Sequence, residues 1–137
     1  MKRTRNGKRT RGMAMVEMIF VLPLLILLVF AIAEFGLMFS RWLTLSNAVR
    51  EGARVGVAWR GPNCDAGTVE DDVRSTAGAY ARAGGVPLAD GDFTVTGVCD
   101  GAGSNMVVSG SYFFKLNIPF GNLGSIPLSY QSTMRNE

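Results

Sequence analysis

The chain has 137 residues, with fourteen Lys/Arg against eleven Asp/Glu, two cysteines and no histidine. The missing histidine excludes Ser-His-Asp triads, Cys-His dyads and His-bearing metal motifs. The sequence pI of about 9.2 does not read as a nucleic-acid footprint: six basic residues and no acid fall in the first twelve positions, which leaves the remainder at net −3.

Residues 1–12 form that basic leader, with Lys2, Arg3, Arg5, Lys8, Arg9 and Arg11 and no hydrophobic face, so disorder is expected there. From Gly12 to Phe39 the chain is apolar, and the sixteen residues between Glu17 and Glu34 carry no charge. As a helix at about 1.5 Å per residue this run spans roughly 40 Å, enough to cross a bilayer core of about 30 Å. The basic excess ahead of it predicts a cytoplasmic N-terminus and an extracytoplasmic C-terminal part. Under 100 residues then remain (about 97) for a single small exported domain.

Glu17 is unusual inside such a run, because a carboxylate in lipid costs roughly 3 kcal/mol on insertion scales. Pro23 removes one backbone hydrogen bond and crowds the preceding turn, which membrane helices tolerate where neighbours compensate. Glu34 falls near the far interface, and Arg41-Trp42 are of the kind that anchors helix ends there. With no breaker before Gly61-Pro62, one long helix is expected over about Ala14–Trp59. Its later half carries small residues four apart at Gly36, Ser40, Thr44, Ala48, Gly52 and Gly56. Such rows allow close helix approach, either to neighbouring chains or to the protein's own head. Glu51 and Arg54 can pair at i,i+3.

Gly12-Met13-Ala14-Met15-Val16-Glu17, set between a basic leader and an apolar helix, resembles a type IV prepilin. That resemblance implies cleavage between Gly12 and Met13 by a membrane prepilin peptidase, and a Glu17 carboxylate that meets the new amine of a neighbouring subunit during assembly. VEMIFVLPLLILLVF, IAEFG and LSNAVREGARVG together resemble the TadE-like family, minor pilin-like proteins of the tight-adherence pilus machinery. This likeness spans residues 12–57, with SYQSTMRNE similar to the family's ending; Met18 departs from the aromatic common after the glutamate. The resemblance implies a pilin-like α+β fold. It also implies a minor pilin or pseudopilin role, with other pilin subunits and the assembly platform as partners and a single-pass inner-membrane location. An uncleaved, membrane-anchored accessory or sensor protein with an extracytoplasmic binding domain remains the alternative. A secretory signal cut near Ala31 or Ala33 fits less well, since the apolar run exceeds the 7–15 residues typical of such signals.

Cys64 and Cys99 both lie beyond the apolar run, on the expected oxidising side, and predict a disulfide. It closes a loop of about 36 residues, worth roughly 4 kcal/mol in the chain-entropy model. A second helix is expected from an N-cap at Thr68 with Asp71 completing a capping box, acids Glu70, Asp71 and Asp72 in its first turn, and Val69, Val73, Ala77, Tyr80 and Ala81 on one face. Gly84-Gly85 ends it. Phe93–Val98 alternates as a strand, and Asp100–Ser104 reads as a turn. Met106, Val108, Gly110, Tyr112, Phe114 and Leu116 share one face of the next strand, with Val107 and Phe113 on the other. Pro119–Pro127 reads as a loop and Leu128–Arg135 as the last strand.

The expected fold class is therefore α+β: a long N-terminal helix whose transmembrane half covers about 13–39, then a head over 60–137 with a second helix and an antiparallel three-stranded sheet. The Glu70-Asp71-Asp72 cluster lacks EF-hand spacing, and no Gly-Lys-Ser/Thr follows the glycine pairs. No enzyme, cofactor, metal, nucleic acid or small-molecule substrate is expected.

Overall fold

The computed structural model describes residues 7–58, 63–118 and 121–136. Two helices, a short 3-10 turn and three strands follow in order: α1 Gly7–Gly56, α2 Ala66–Ala83, a turn at Asp90–Asp92, then β1 Phe93–Thr96, β2 Asn105–Ile118 and β3 Gly121–Arg135. The fold is α+β with a pilin-like arrangement. The chain divides into two compact units, residues 1–36 and 37–137.

In the first unit α1 begins at Gly7, so residues 7–11, expected to be disordered, are helical. No proline falls in residues 7–11, and Lys8, Arg9 and Arg11 are good helix formers. Helix geometry continues through Pro23, and from Gly12 to Ala33 every residue is exposed. By length and composition, α1 from Gly12 onward is long and apolar enough to cross a membrane.

The second unit holds the core. α1 contributes Leu45, Ala48, Val49 and Ala53; α2 contributes Val69, Val73, Ala77 and Ala81; the sheet contributes Phe93, Val95, Met106, Val108, Phe114 and Leu128. α1 ends at Gly56, three residues before the expected Trp59. Val57 N–H still bonds the Ala53 carbonyl, so the last turn is complete before glycine lets the chain leave. Trp59 and Gly61-Pro62 lie outside the described residues.

α2 starts earlier than expected. Its N-cap is Asp65, in extended backbone, and the Thr68 hydroxyl donates to the Asp65 carboxylate. Thr68 is thus inside the first turn and not the cap, and Glu70, Asp71 and Asp72 fall beyond that turn. Asp65 is a residue type favoured at the N-cap, and its carboxylate accepts from the Thr68 hydroxyl, which holds Thr68 within the first turn. Tyr80 is 44% exposed, whereas Gly78 is buried on another side of the helix, beside Arg82 and Asp90. The end is as expected: Gly84 is the C-cap, its N–H bonding the Tyr80 carbonyl, and Gly85 follows at φ +79°.

The sheet runs β1-β2-β3, antiparallel throughout. β1 stops at Thr96 because Gly97 turns the chain with φ +79°, where an added Cβ would lie 2.2 Å from the Asn105 carbonyl oxygen. β2 presents Met106, Val108, Gly110 and Phe114 to the core, as its alternation predicts, and leaves Phe113 outside. β3 is longer than expected. Residues 121–127 are strand, paired back to β2 from Ile118↔Gly121 to Phe113↔Pro127, with an irregularity at Leu116/Asn117. The proline is tolerated because β3 is the sheet edge, where a missing ladder donor does little harm. Gly124 supplies φ +117°. Pro119 and Phe120 lie outside the described residues. Asn136 closes the unit by donating from its side-chain amide to the Gly97 carbonyl at 2.9 Å and to Ser104 Oγ at 2.7 Å.

Candidate functional site

The residues singled out in the first unit all lie on α1. Gly12 and Met13 are exposed, and an added Cβ at Gly12 would meet nothing within 4 Å. Glu17 is one helical turn from Met13, on the same side of the helix, and is exposed among apolar neighbours. Its surroundings are Met13, Val16, Phe20 and Val21, each at least 40% exposed. A carboxylate there has aliphatic chains beside it and no cation of its own helix within a turn. Pro23 is exposed and Glu34 half-buried; Gly36 has open space where a Cβ would go.

The later glycines of the same row are used within the second unit. At Gly52 an added Cβ would sit 3.0 Å from the Val73 carbonyl oxygen and 3.1 Å from Ala77 Cβ. At Gly56 it would approach Met106 Sδ to 2.6 Å and Val73 Cγ2 to 2.7 Å. The small residues therefore let α1 approach α2 and β2 closely, and Ala48 is buried in the same core. Glu51 accepts from Arg54 at 2.8 Å on the exposed side.

Cys64 and Cys99 are joined by a disulfide, with Cα atoms 5.9 Å apart. It ties the segment before α2 to the loop after β1. Next to it the Asp65 carboxyl is held below its ordinary range, first by the Thr68 hydroxyl and then by backbone N–H groups of the first turn. Glu70 accepts from Arg74 at 2.9 Å. Among the described residues no group of three or more acids or cysteines is gathered as a metal site.

Two arginine–tyrosine clamps, not anticipated from sequence, fix α1 to the sheet. Arg41 donates to Tyr112 Oη at 3.1 Å and lies over the Tyr112 and Phe114 rings. Arg50 donates to Tyr130 Oη through Nε at 2.9 Å and Nη2 at 2.6 Å. Trp42 meets Tyr130 edge-on and stacks with Phe39. The sequence signal was faint: two arginines nine residues apart on a helix, and two tyrosines eighteen apart with a strand turn between them. An open groove of about 390 Å³ lies between α1 and the end of α2, lined by Ser40, Leu43, Thr44, Asn47, Tyr80, Ala83 and Gly84. Its walls are hydroxyl, amide and aliphatic, without a charged group.

Residues 12–54 match the family model described as TadE-like protein. No curated protein and no solved structure matches the chain. The matched segment lies wholly within α1, so the family likeness resides in the helix, and the head is described by its own geometry alone.

Proposed function

From a helix whose residues 12–54 are TadE-like, we propose that this protein is a minor pilin or pseudopilin of a tight-adherence, type IVc pilus, and that it acts by assembling. In this reading the basic leader stays in the cytoplasm, α1 crosses the inner membrane once, and the head is extracytoplasmic. A prepilin peptidase cuts between Gly12 and Met13. The shortened helix then packs against other pilin subunits delivered by the assembly platform, and the head is carried into the pilus for assembly or adhesion. The protein contributes packing surface and no catalytic step of its own.

The observation that carries this reading is Glu17: a carboxylate, exposed, in an otherwise apolar helix, one turn from Met13. A lone anion there is unfavourable in lipid, and becomes useful once a cation arrives. The amine freed at Met13 of a neighbouring chain is such a cation, and a charge-assisted hydrogen bond is strongest where water is scarce. Gly12 supports the cut because it places no side chain at the scissile position, and glycine weakens the helix that must open for a peptidase to act.

The test is the mature N-terminus. Protein recovered from pili of the native host is expected to begin at Met13, and Gly12→Leu to remain full length. Recovery of intact Met1 from functional pili refutes processing and favours the uncleaved, membrane-anchored accessory reading.

A further inference from the structure

We propose that the groove between α1 and the end of α2 is a glycan-binding site that takes the ring of an uncharged sugar. The whole groove belongs to the second unit, so the proposal stands whether or not the chain enters a pilus. Two short rows build it. Ser40, Thr44 and Asn47 follow at i, i+4 and i+7 of α1, on one side of that helix. Tyr80 and Gly84 follow at i and i+4 of α2. Gly84 brings the rows together. A Cβ there would lie 2.3 Å from Thr44 Cγ2, so glycine lets the end of α2 come this close to α1. The resulting volume of about 390 Å³ falls within the roughly 300–1,000 Å³ of small-molecule sites.

The walls select the ligand in three ways. Their polar groups are unspent. Elsewhere on the helices Ser46 and Ser75 donate their hydroxyls to carbonyls three residues back, at 2.9 and 3.1 Å. The side chains of Ser40, Thr44, Asn47 and Tyr80 make no such bond among the described residues. Hydroxyls and a primary amide both donate and accept, as the hydroxyls of a sugar do. Next, none of the lining residues is charged. A phosphate, carboxylate or ammonium ligand would lose water there and gain no counter-ion. Finally, Tyr80 is 44% exposed and Leu43 41%. The negative face of an aromatic ring suits the C–H edge of a sugar ring, and Leu43 adds aliphatic contact. Another protein chain fits this surface less well. Covering the groove with an apolar flank would leave those four polar side chains without partners, at a cost for each.

The test uses the full chain in phosphocholine micelles, whose headgroups carry no sugar. It reads magnetic saturation transferred from the protein to methyl β-glucopyranoside, methyl β-galactopyranoside and N-acetylglucosamine, with glucuronate as the charged comparison. The expected result is transfer to at least one neutral sugar and none to glucuronate. Tyr80→Ala and Asn47→Ala should each raise its Kd about fivefold or more, the size of one lost hydrogen bond. Ala83→Trp, which puts a ring into the groove, should abolish transfer, and Thr133→Ala on the sheet should leave it unchanged. Retention of the disulfide and of near-UV circular dichroism identifies folded variants. Asn47 and Ala83 are exposed, so they test the site even if Tyr80→Ala fails to fold. Absence of transfer to every neutral sugar overturns the proposal, as does transfer that the folded groove variants leave unchanged. Equal transfer to glucuronate overturns the uncharged ligand class. Association between chains that Ala83→Trp abolishes, seen by sedimentation without any sugar transfer, overturns the glycan site and assigns the groove to a second copy.

Discussion

Gly52→Ala and Gly52→Val test whether the small-residue row serves the protein's own head. An alanine in a helix interior is worth about 1 kcal/mol over glycine, so an unobstructed site would gain stability. Gly52 is obstructed: the new methyl would lie 3.0 Å from the Val73 carbonyl oxygen and 3.1 Å from Ala77 Cβ. Neither neighbour can move away by changing rotamer, since one is backbone and the other has no rotamer. Overpacking of this kind costs about 1–3 kcal/mol, so the alanine variant is expected to lose between about 0 and 2 kcal/mol net. Valine adds two γ-carbons with a stiff χ1 and is expected to lose about 3 kcal/mol or more. Gly67→Ala is the control: its nearest neighbour is the Asp65 carboxylate at 3.7 Å, so it should gain up to about 1 kcal/mol. The assay is urea unfolding of the full chain in detergent, followed by near-UV circular dichroism. A Gly52→Val head as stable as wild type would refute the close approach. Unchanged head stability with lost association between chains would reassign Gly52 to contacts with other subunits.

Replacing Cys64 and Cys99 by serine is expected to lower stability by roughly 4 kcal/mol in the chain-entropy model, and reductant should have no further effect on the double variant; a reductant-sensitive unfolding midpoint in that variant would contradict the pairing. Glu17→Leu should leave membrane level and cleavage normal while co-purification with pilus components is lost; unchanged incorporation would make Glu17 a passenger. The Asp65 carboxyl is held below its ordinary value, so its contribution is present above the unfolded value of about 3.9. It disappears as pH falls through the lower folded value; Asp65→Asn should flatten the acid limb of the stability curve, and an unaltered limb would remove the N-cap from the account. Tyr130→Phe removes the acceptor of both Arg50 hydrogen bonds and is expected to cost about 1 kcal/mol, the typical net worth of such a bond at a solvated site; an unchanged urea midpoint would show that the clamp adds nothing.

By itself the sequence determined the elements whose signals are local. An apolar run from Gly12 to Phe39 makes a helix in any setting that withholds water, since its backbone has no other partner. The Gly84-Gly85 stop, the alternation of Met106 to Leu116 and the two lone cysteines were equally legible, each being a matter of spacing and residue type. The junction of leader, Gly12 and Glu17 was also visible in one dimension, because processing and charge placement are linear features. Tertiary structure decided the rest. Residues 121–127 look like a loop, with two glycines and a proline, and become strand because β2 offers an unpaired edge and the proline falls on the outside. Asp65, not Thr68, stands at the N-cap of α2, with the Thr68 hydroxyl turned back to its carboxylate. Tyr80 lines the open groove beside α1 and stays 44% exposed, while Ala77 takes the buried place against Gly52. The Arg41–Tyr112 and Arg50–Tyr130 clamps join residues more than seventy positions apart. No local pattern carries that information, because the pairing exists only once the sheet has folded against the helix.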